Sequence, residues 1–312
     1  MQQQRIAVIG SGALGTYYGA RLAEAGHDVH FLMRRDYHAI RSGGLHVTSP
    51  EGDLTLTHPN IYRSSTEIGP VDWIICALKS TSIDEAQKLL APCIDKNTRI
   101  LVLMNGLGLE ESFAAWFGAK RIFGGMAFTC INRGEPGHTH HLAYGPITIG
   151  HFQDDKAELA KALDLWSQSK VTIFQSSCLL QSRWEKLGWN IPFSGLAVAA
   201  GGITTDRIME NAGLNSAART LMAEVLATGN ADLEHHSQET RIDRNVLMDL
   251  FFKSTSTMGA YKPSTMIDFV EGRAMEIEAI FGEPLRRAQS LDVLVPQLAL
   301  LTSLLRALNH GR

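Results

Sequence analysis

The feature that most constrains this chain is Gly10-Ser11-Gly12-Ala13-Leu14-Gly15, set directly after the apolar run Arg5-Ile6-Ala7-Val8-Ile9. The spacing is GxGxxG, which is weak evidence alone. Here it follows a strand pattern, opens a helical pattern over Gly15 to Ala25, and heads a βαβ unit. In that context each glycine has a task. Gly10 makes the tight turn, Gly12 lets a pyrophosphate approach the backbone, and Gly15 lets helix and strand pack closely. The helix N-terminus around Ser11, Ala13 and Leu14 presents N–H groups to phosphates. The expectation is a dinucleotide site; the alternative is a glycine-rich turn with no ligand.

The rest of the first half keeps the same rhythm. Asp28 to Met33 reads as a second strand. Leu45 to Thr57 reads as a hairpin turning at Ser49-Pro50-Glu51-Gly52. Val71 to Leu78 reads as a buried strand, Ile83 to Leu90 as a helix and Arg99 to Met104 as a strand. Strand–helix–strand alternation with buried, β-branched strands implies a parallel sheet with helices on both faces. From about Arg121 to Gln175 strands recur with glycine turns around a helix near Lys156 to Gln168.

Past Ser176 the pattern changes. Leu214, Ala217, Ala218, Leu221, Met222 and Val225 recur at helical spacing. Arg244 to Lys253, Met275 to Ser290 and Gln297 to Leu308 also read as helices, with Pro296 at a favoured first position. The expectation is therefore an α/β chain: a Rossmann-type dinucleotide-binding domain over residues 1–176, then an all-α domain over 177–312 for substrate binding and dimerisation.

Composition removes several classes. With 29 Lys+Arg against 32 Asp+Glu and a net charge of −3, the chain lacks the basic footprint of a nucleic-acid binder. The longest nearly apolar stretch, Ile191 to Ile203, is shorter than the ~18 residues read as a membrane span. Met1-Gln2-Gln3-Gln4-Arg5 carries no apolar signal segment. Cys76, Cys93, Cys130 and Cys178 form no CxxC pair and read as free thiols in a reducing cytoplasm. His138, His140 and His141, placed between strands, and His235-His236, at a helix end, lack zinc-like partner spacing, so no metal is expected. There is no G-x-S-x-G elbow.

The end of the second strand bears on cofactor choice. An NAD enzyme usually has Asp or Glu there, about 20 residues past the glycines. This chain has Met33-Arg34-Arg35. Guanidinium groups bind a 2′-phosphate that a carboxylate would repel, so NADP(H) is expected. Asp36 follows immediately and argues the other way. Lys79 and Asn105-Gly106 end buried strands, where ligands of open α/β sheets lie; Asn-Gly is also a common turn.

Carbonyl reduction by a nicotinamide needs an acid for the oxygen. Trp184-Glu185-Lys186-Leu187-Gly188-Trp189-Asn190 offers Lys186, with Asn190 one helical turn on. Read alone, such a lysine is more often a surface residue.

Taken together, these segments resemble the ketopantoate reductases (2-dehydropantoate 2-reductases). The resemblance runs from Ile6 to about Leu308. It rests on Gly10 to Gly15, Ala77-Leu78-Lys79, Asn105-Gly106 followed by Glu110, and Lys186-xxx-Asn190. It continues in Lys262-Pro263-Ser264-Thr265-Met266-Ile267-Asp268 and Gly272-Arg273-Ala274-Met275-Glu276-Ile277-Glu278. The resemblance implies an NADPH-dependent reduction of ketopantoate to D-pantoate in pantothenate and coenzyme A synthesis. It implies that Lys186 is the general acid, that Glu276 assists it, that Asn190, Ser264 and Glu276 bind substrate, and that Arg34, Lys79 and Asn105 contact cofactor. The partner implied is a small 2-oxo acid, with no nucleic acid and no membrane; a homodimer is left open.

Three positions depart from the family. Ser194 stands where a second asparagine is usual and is expected in the substrate site. Pro192 interrupts the Lys186 helix and is expected to kink it. Ala274-Met275 stands where the family often has proline followed by a small or apolar residue. Glu276, between Met275 and Ile277 of an apolar-rich helix, would read as solvent-facing without the family pattern. The departures leave open another 2-oxo acid on the same scaffold, and, in a different class, a non-catalytic NADP(H) sensor. A β-hydroxyacid dehydrogenase would carry glycines shortly before the lysine, whereas Ser182-Arg183-Trp184-Glu185 stands here.

Overall fold

The structure, a computed structural model, describes residues 2–311. The chain forms two compact units. One holds the residues up to Met104 together with Leu109–Leu179; the other holds Asn105–Gly108 and the residues from Leu180 on.

The first unit is built on one sheet of ten strands. These are β1 (Arg5–Ile9), β2 (Asp28–Leu32), β3 (Leu45–Thr48), β4 (Leu54–Leu56), β5 (Asn60–Tyr62), β6 (Trp73–Cys76), β7 (Arg99–Val102), β8 (Ile122–Arg133), β9 (His138–His151) and β10 (Ile173–Gln175). Six of them, in the order β5-β2-β1-β6-β7-β8, are all parallel. That is the doubly wound order of dinucleotide-binding folds, with its switch point between β1 and β6. The apolar runs are the cause: Ile6–Ile9 and Ile74–Cys76 are fully buried, as strands covered on both faces must be.

The expected parallel sheet is thus correct for five of these strands; the short edge strand β5 was not legible in sequence, and beyond the six the expectation is incomplete. β9 runs antiparallel to β8, β3 lies parallel to β9, and β4 closes the edge as the antiparallel partner of β3. The link from Arg133 to His138 is too short for a parallel crossover, which takes a dozen or more residues. The helix Ala13–Glu24 buries Tyr17, Tyr18, Ala20 and Leu22 in a core shared with Val8, Phe31 and Trp166. Burying each of the large side chains contributes about 1.5–3 kcal/mol.

The second unit is helical, and no strand occurs in it among the described residues. Its helices are Leu179–Ala199 (whose first residue belongs to the other unit), Thr205–Glu210, Ala212–His235, Arg244–Thr255, Ser264–Val270, Glu283–Ser290 and Pro296–Asn309. Trp184, Phe193, Leu226, Phe281, Leu298 and Leu305 are fully buried in it. The short helices Thr205–Glu210 and Ser264–Val270, and Leu109–Phe117 in the first unit, escaped sequence reading because one or two turns carry too little periodicity.

Two expectations change here. The helix Leu179–Ala199 runs without interruption through Pro192. Met275 to Ser290 is not one α-helix: the chain is irregular through Glu276, turns helical at Ile277, makes a π-helical turn over Glu278–Gly282 and only then becomes α-helical. Pro284 supplies the reason. It has no N–H for the carbonyl of Ile280, and its ring would crowd that carbonyl in a regular α-turn. A widened turn relieves both problems.

Candidate active site

In the first unit the glycine loop has the shape its sequence requires. Gly10 has φ +99°, and a Cβ there would lie 2.5 Å from the Ala77 carbonyl carbon. A Cβ on Gly15 would strike the Gly10 carbonyl oxygen. Gly12 is the opposite case: a Cβ there would meet nothing within 4 Å. Two glycines therefore seal the loop against β1 and β6, and the third faces open space at the start of Ala13–Glu24. This is the arrangement that lets a pyrophosphate reach the backbone. Gly12 is the N-cap and offers no side chain to the first-turn N–H groups, so the residues fit a bound dinucleotide.

Arg34 and Arg35 are exposed at the end of β2. The Arg34 guanidinium donates to Glu85 at 2.6 Å. Asp36 is buried, and its carboxylate lies 3.4 Å from the Nε of Arg133. Arg133 also donates to the Ser11 carbonyl in the glycine loop, at 3.4 Å. Asp36 thus has a cationic partner inside the fold, which sequence reading did not find. No local pattern links positions 36 and 133; the long β8 strand brings them together. Lys79 is exposed just past β6, and its carbonyl accepts from Ser82 N–H.

In the second unit the Nζ of Lys186 donates to Oδ1 of Asn105 at 2.9 Å. Lys186 is half-buried, unlike an ordinary surface lysine. Its helix is clamped on both sides by indole donors. Trp184 Nε1 donates to Asp232 at 2.8 Å, and Trp189 Nε1 donates to Thr255 Oγ1 at 2.9 Å. Asp232 is buried and also accepts from Arg287, at 2.8 Å. A buried carboxylate with two such donors satisfies the rule that interior charges are paired. Asp232, Arg287 and Thr255 were missed from sequence; the two tryptophans flanking Lys186 were the available signal.

Because the helix continues past Pro192, Lys186, Asn190 and Ser194 lie one turn apart along one face. Asn190 is half-buried and Ser194 buried. Glu276 is 7% exposed, against the solvent-facing alternative. It precedes the helix, and its backbone carbonyl accepts from Ile280 N–H at 3.2 Å. Ser264 is exposed at the first position of Ser264–Val270.

His138, His140 and His141 lie in β9 rather than between strands. Pairing with β3 gives them hydroxyl partners: His140 bonds Thr48 Oγ1 at 2.7 Å, and His141 bonds Ser49 Oγ at 2.8 Å. Among the described residues no group of three metal-type ligands occurs. Cys76, Cys93 and Cys178 are buried and Cys130 half-buried, all as free thiols. Burial pushes the Cys76 thiol up to about 12 and that of Cys93 up to about 11. Among the described residues no helix is long and apolar enough to cross a membrane.

Comparison with known proteins places the chain in a family. Residues 6–154 match the family model described as ketopantoate reductase PanE/ApbA, and residues 179–309 match that of its C-terminal part. A 2-dehydropantoate 2-reductase of Nostoc sp. (strain PCC 7120 / SAG 25.82 / UTEX 2576) is 37% identical, over 96% of this chain and 93% of the relative. The crystal structure of 2-dehydropantoate 2-reductase from Geobacter metallireducens GS-15 superposes with a TM-score of 0.93 at 42% identity, covering 97% of this chain and 99% of that one. A D-mandelate dehydrogenase solved with NADH and anilino(oxo)acetate shares the fold, with a TM-score of 0.87 at 22% identity over 98% of each chain. With both halves of the family model matched in order and near-complete relatives at this identity, the chain belongs to the ketopantoate reductase family.

Proposed function

We propose that this protein reduces 2-dehydropantoate to D-pantoate, using NADPH, with Lys186 as proton donor. The observation that carries the reading is the pairing of Lys186 with Asn105 at 2.9 Å. An ammonium that is half-buried and donates to an amide oxygen is held in a fixed orientation. It is thereby ready to donate to a carbonyl oxygen and to stabilise the alkoxide charge that develops there. The bound nicotinamide supplies the hydride.

In this reading Gly10 to Gly15, Arg34, Lys79 and Asn105 contact the cofactor. The pairing of Asp36 with Arg133 supports NADPH, because a carboxylate already matched by a guanidinium repels a 2′-phosphate less. Asn190, Ser194 and Ser264 bind substrate. Glu276, buried beside the start of its helix, holds either the ammonium or a substrate hydroxyl. The names of the Nostoc and Geobacter relatives favour this substrate.

A second reading keeps the chemistry and changes the 2-oxo acid. Ser194 favours it, since a buried serine on the Lys186 face leaves more room than asparagine. A non-catalytic NADP(H) sensor would have no need of the Lys186–Asn105 pair. The test is a panel of 2-oxo acids followed by loss of NADPH absorbance. Ketopantoate is expected to give the highest kcat/KM. A higher value for a plain branched 2-oxo acid supports the second reading, and no NADPH oxidation with any member of the panel removes both.

A further inference from the structure

The π-helical turn at Glu278–Gly282 has a consequence for Lys186. In a regular α-helix the N–H of Glu283 would donate to the carbonyl of Ala279. Here it donates one residue further back, to Glu278. The carbonyl of Ala279 is thereby released from the helix, and it accepts the N–H of Leu107 at 2.9 Å. Leu107 lies two residues after Asn105, whose amide oxygen holds Lys186.

The loop Asn105–Gly108 is shaped to lie along this turn. Gly106 has φ +115°, and a Cβ there would lie 2.7 Å from the Ala279 carbonyl oxygen. A Cβ on Gly108 would lie 3.3 Å from Cγ of Glu283. The turn is pinned at both ends by ion pairs. Glu278 is held by Arg306 at 2.7 Å and by Arg286 at 3.0 Å; Glu283 is held by Arg287 at 3.0 Å. The same turn begins where the carbonyl of Glu276 accepts from Ile280 N–H.

We propose that the π-turn is the positioning device for the proton donor: the released carbonyl of Ala279 fixes Leu107, and through it sets Asn105 against Lys186. Ala279, Gly106 and Leu107 are positioning residues that act through the backbone. π-bulges recur at functional sites, and here the extra residue per turn supplies one acceptor that an α-helix would consume. The proposal rests on the reading of Lys186 as proton donor.

The test removes the single N–H. Leu107 is replaced by its α-hydroxy acid, which converts the amide to an ester and keeps the side chain. The expected result is a fall in kcat of about tenfold, the scale of one hydrogen bond, with a smaller change in the KM for NADPH, since Asn105 is only one of several cofactor contacts in this reading. Gly106→Ala, which pushes the loop off Ala279, should give the same split. In an Asn105→Ala background the ester should cause almost no further loss, because both changes break one chain of contacts. A wild-type kcat in the ester protein overturns the proposal, as does an equal loss with and without Asn105. Lys186→Ala run in parallel separates the two ideas. If it keeps turnover, the proton-donor reading fails and takes this proposal with it. If it abolishes turnover while the ester protein is unaffected, only the positioning role fails.

Discussion

Lys186 Nζ meets Asn105 Oδ1 at 2.9 Å, although 81 positions of chain separate them. The contact joins the helix Leu179–Ala199 to a four-residue loop, Asn105–Gly108, that leaves the first unit's sheet after β7 and packs within the helical unit. The loop and the helix therefore act as one piece, and substitutions in either bear on the same ammonium group.

Lys186→Ala should lower kcat by roughly 10²–10⁴, the range for losing a positioned acid. NADPH affinity should persist, because the glycine loop is in the other unit. Steady-state kinetics combined with NADPH fluorescence titration checks both halves. A variant retaining near wild-type turnover would assign proton transfer to another group.

Arg34 pairs with Glu85 at 2.6 Å, so both residues bear on the proposed NADPH preference. Arg34→Ala should raise the KM for NADPH and leave that for NADH nearly unchanged. A lost charge-assisted contact is worth about 1.5–3 kcal/mol. Glu85→Gln should improve NADPH binding modestly by releasing the guanidinium. Equal kcat/KM for the two cofactors in the unmodified enzyme would contradict a 2′-phosphate role for Arg34.

Ser194 lies on the Lys186–Asn190 face of a continuous helix and is buried. Ser194→Asn should raise the ratio of kcat/KM for ketopantoate over 2-oxoisovalerate. The gain should be about tenfold at most, since one net hydrogen bond contributes roughly 0.5–1.5 kcal/mol. An unchanged ratio would place Ser194 away from the substrate.

Glu158 carries a stability prediction. The Arg99 guanidinium donates to its carboxylate at 2.7 Å and Lys161 adds a second contact, holding it down at about 2. A carboxyl depressed in the folded state stabilises the fold above its unfolded value, and that contribution is lost as pH falls through the folded value. Glu158→Gln should therefore lower stability at pH 7, by on the order of 1 kcal/mol after allowing for partial solvent screening. The difference should shrink from about pH 4.5 downward and be gone near pH 2. Urea melts of both proteins across that range would show it; a gap independent of pH would point to packing instead.

Much of this was legible along the chain. Buried strand runs and the long amphipathic helices are local patterns with periods of two or 3.6 residues; the three-residue edge strand β5 is too short to show one, and the other five of the six parallel strands follow from them. Lys186 and Asn190 could be placed on one helix face for the same reason. Glu276 could not be placed from its neighbours alone: Met275 and Ile277 are apolar, and nothing local marks the residue as buried. Pro192 does not end the helix, whose flanks are held by Trp184 on Asp232 and Trp189 on Thr255.

The sequence by itself determined most of the doubly wound parallel core, the helical second half and the conformation of the glycine loop. Those depend on burial patterns and backbone sterics that act over a few residues. Only the tertiary structure decided that Asn105 belongs with Lys186, that Arg133 matches Asp36, and that a π-turn offers Ala279 to Leu107. Each joins groups far apart in sequence through one hydrogen bond or ion pair. No periodicity encodes such a pair, because its partners become neighbours only when the chain has folded.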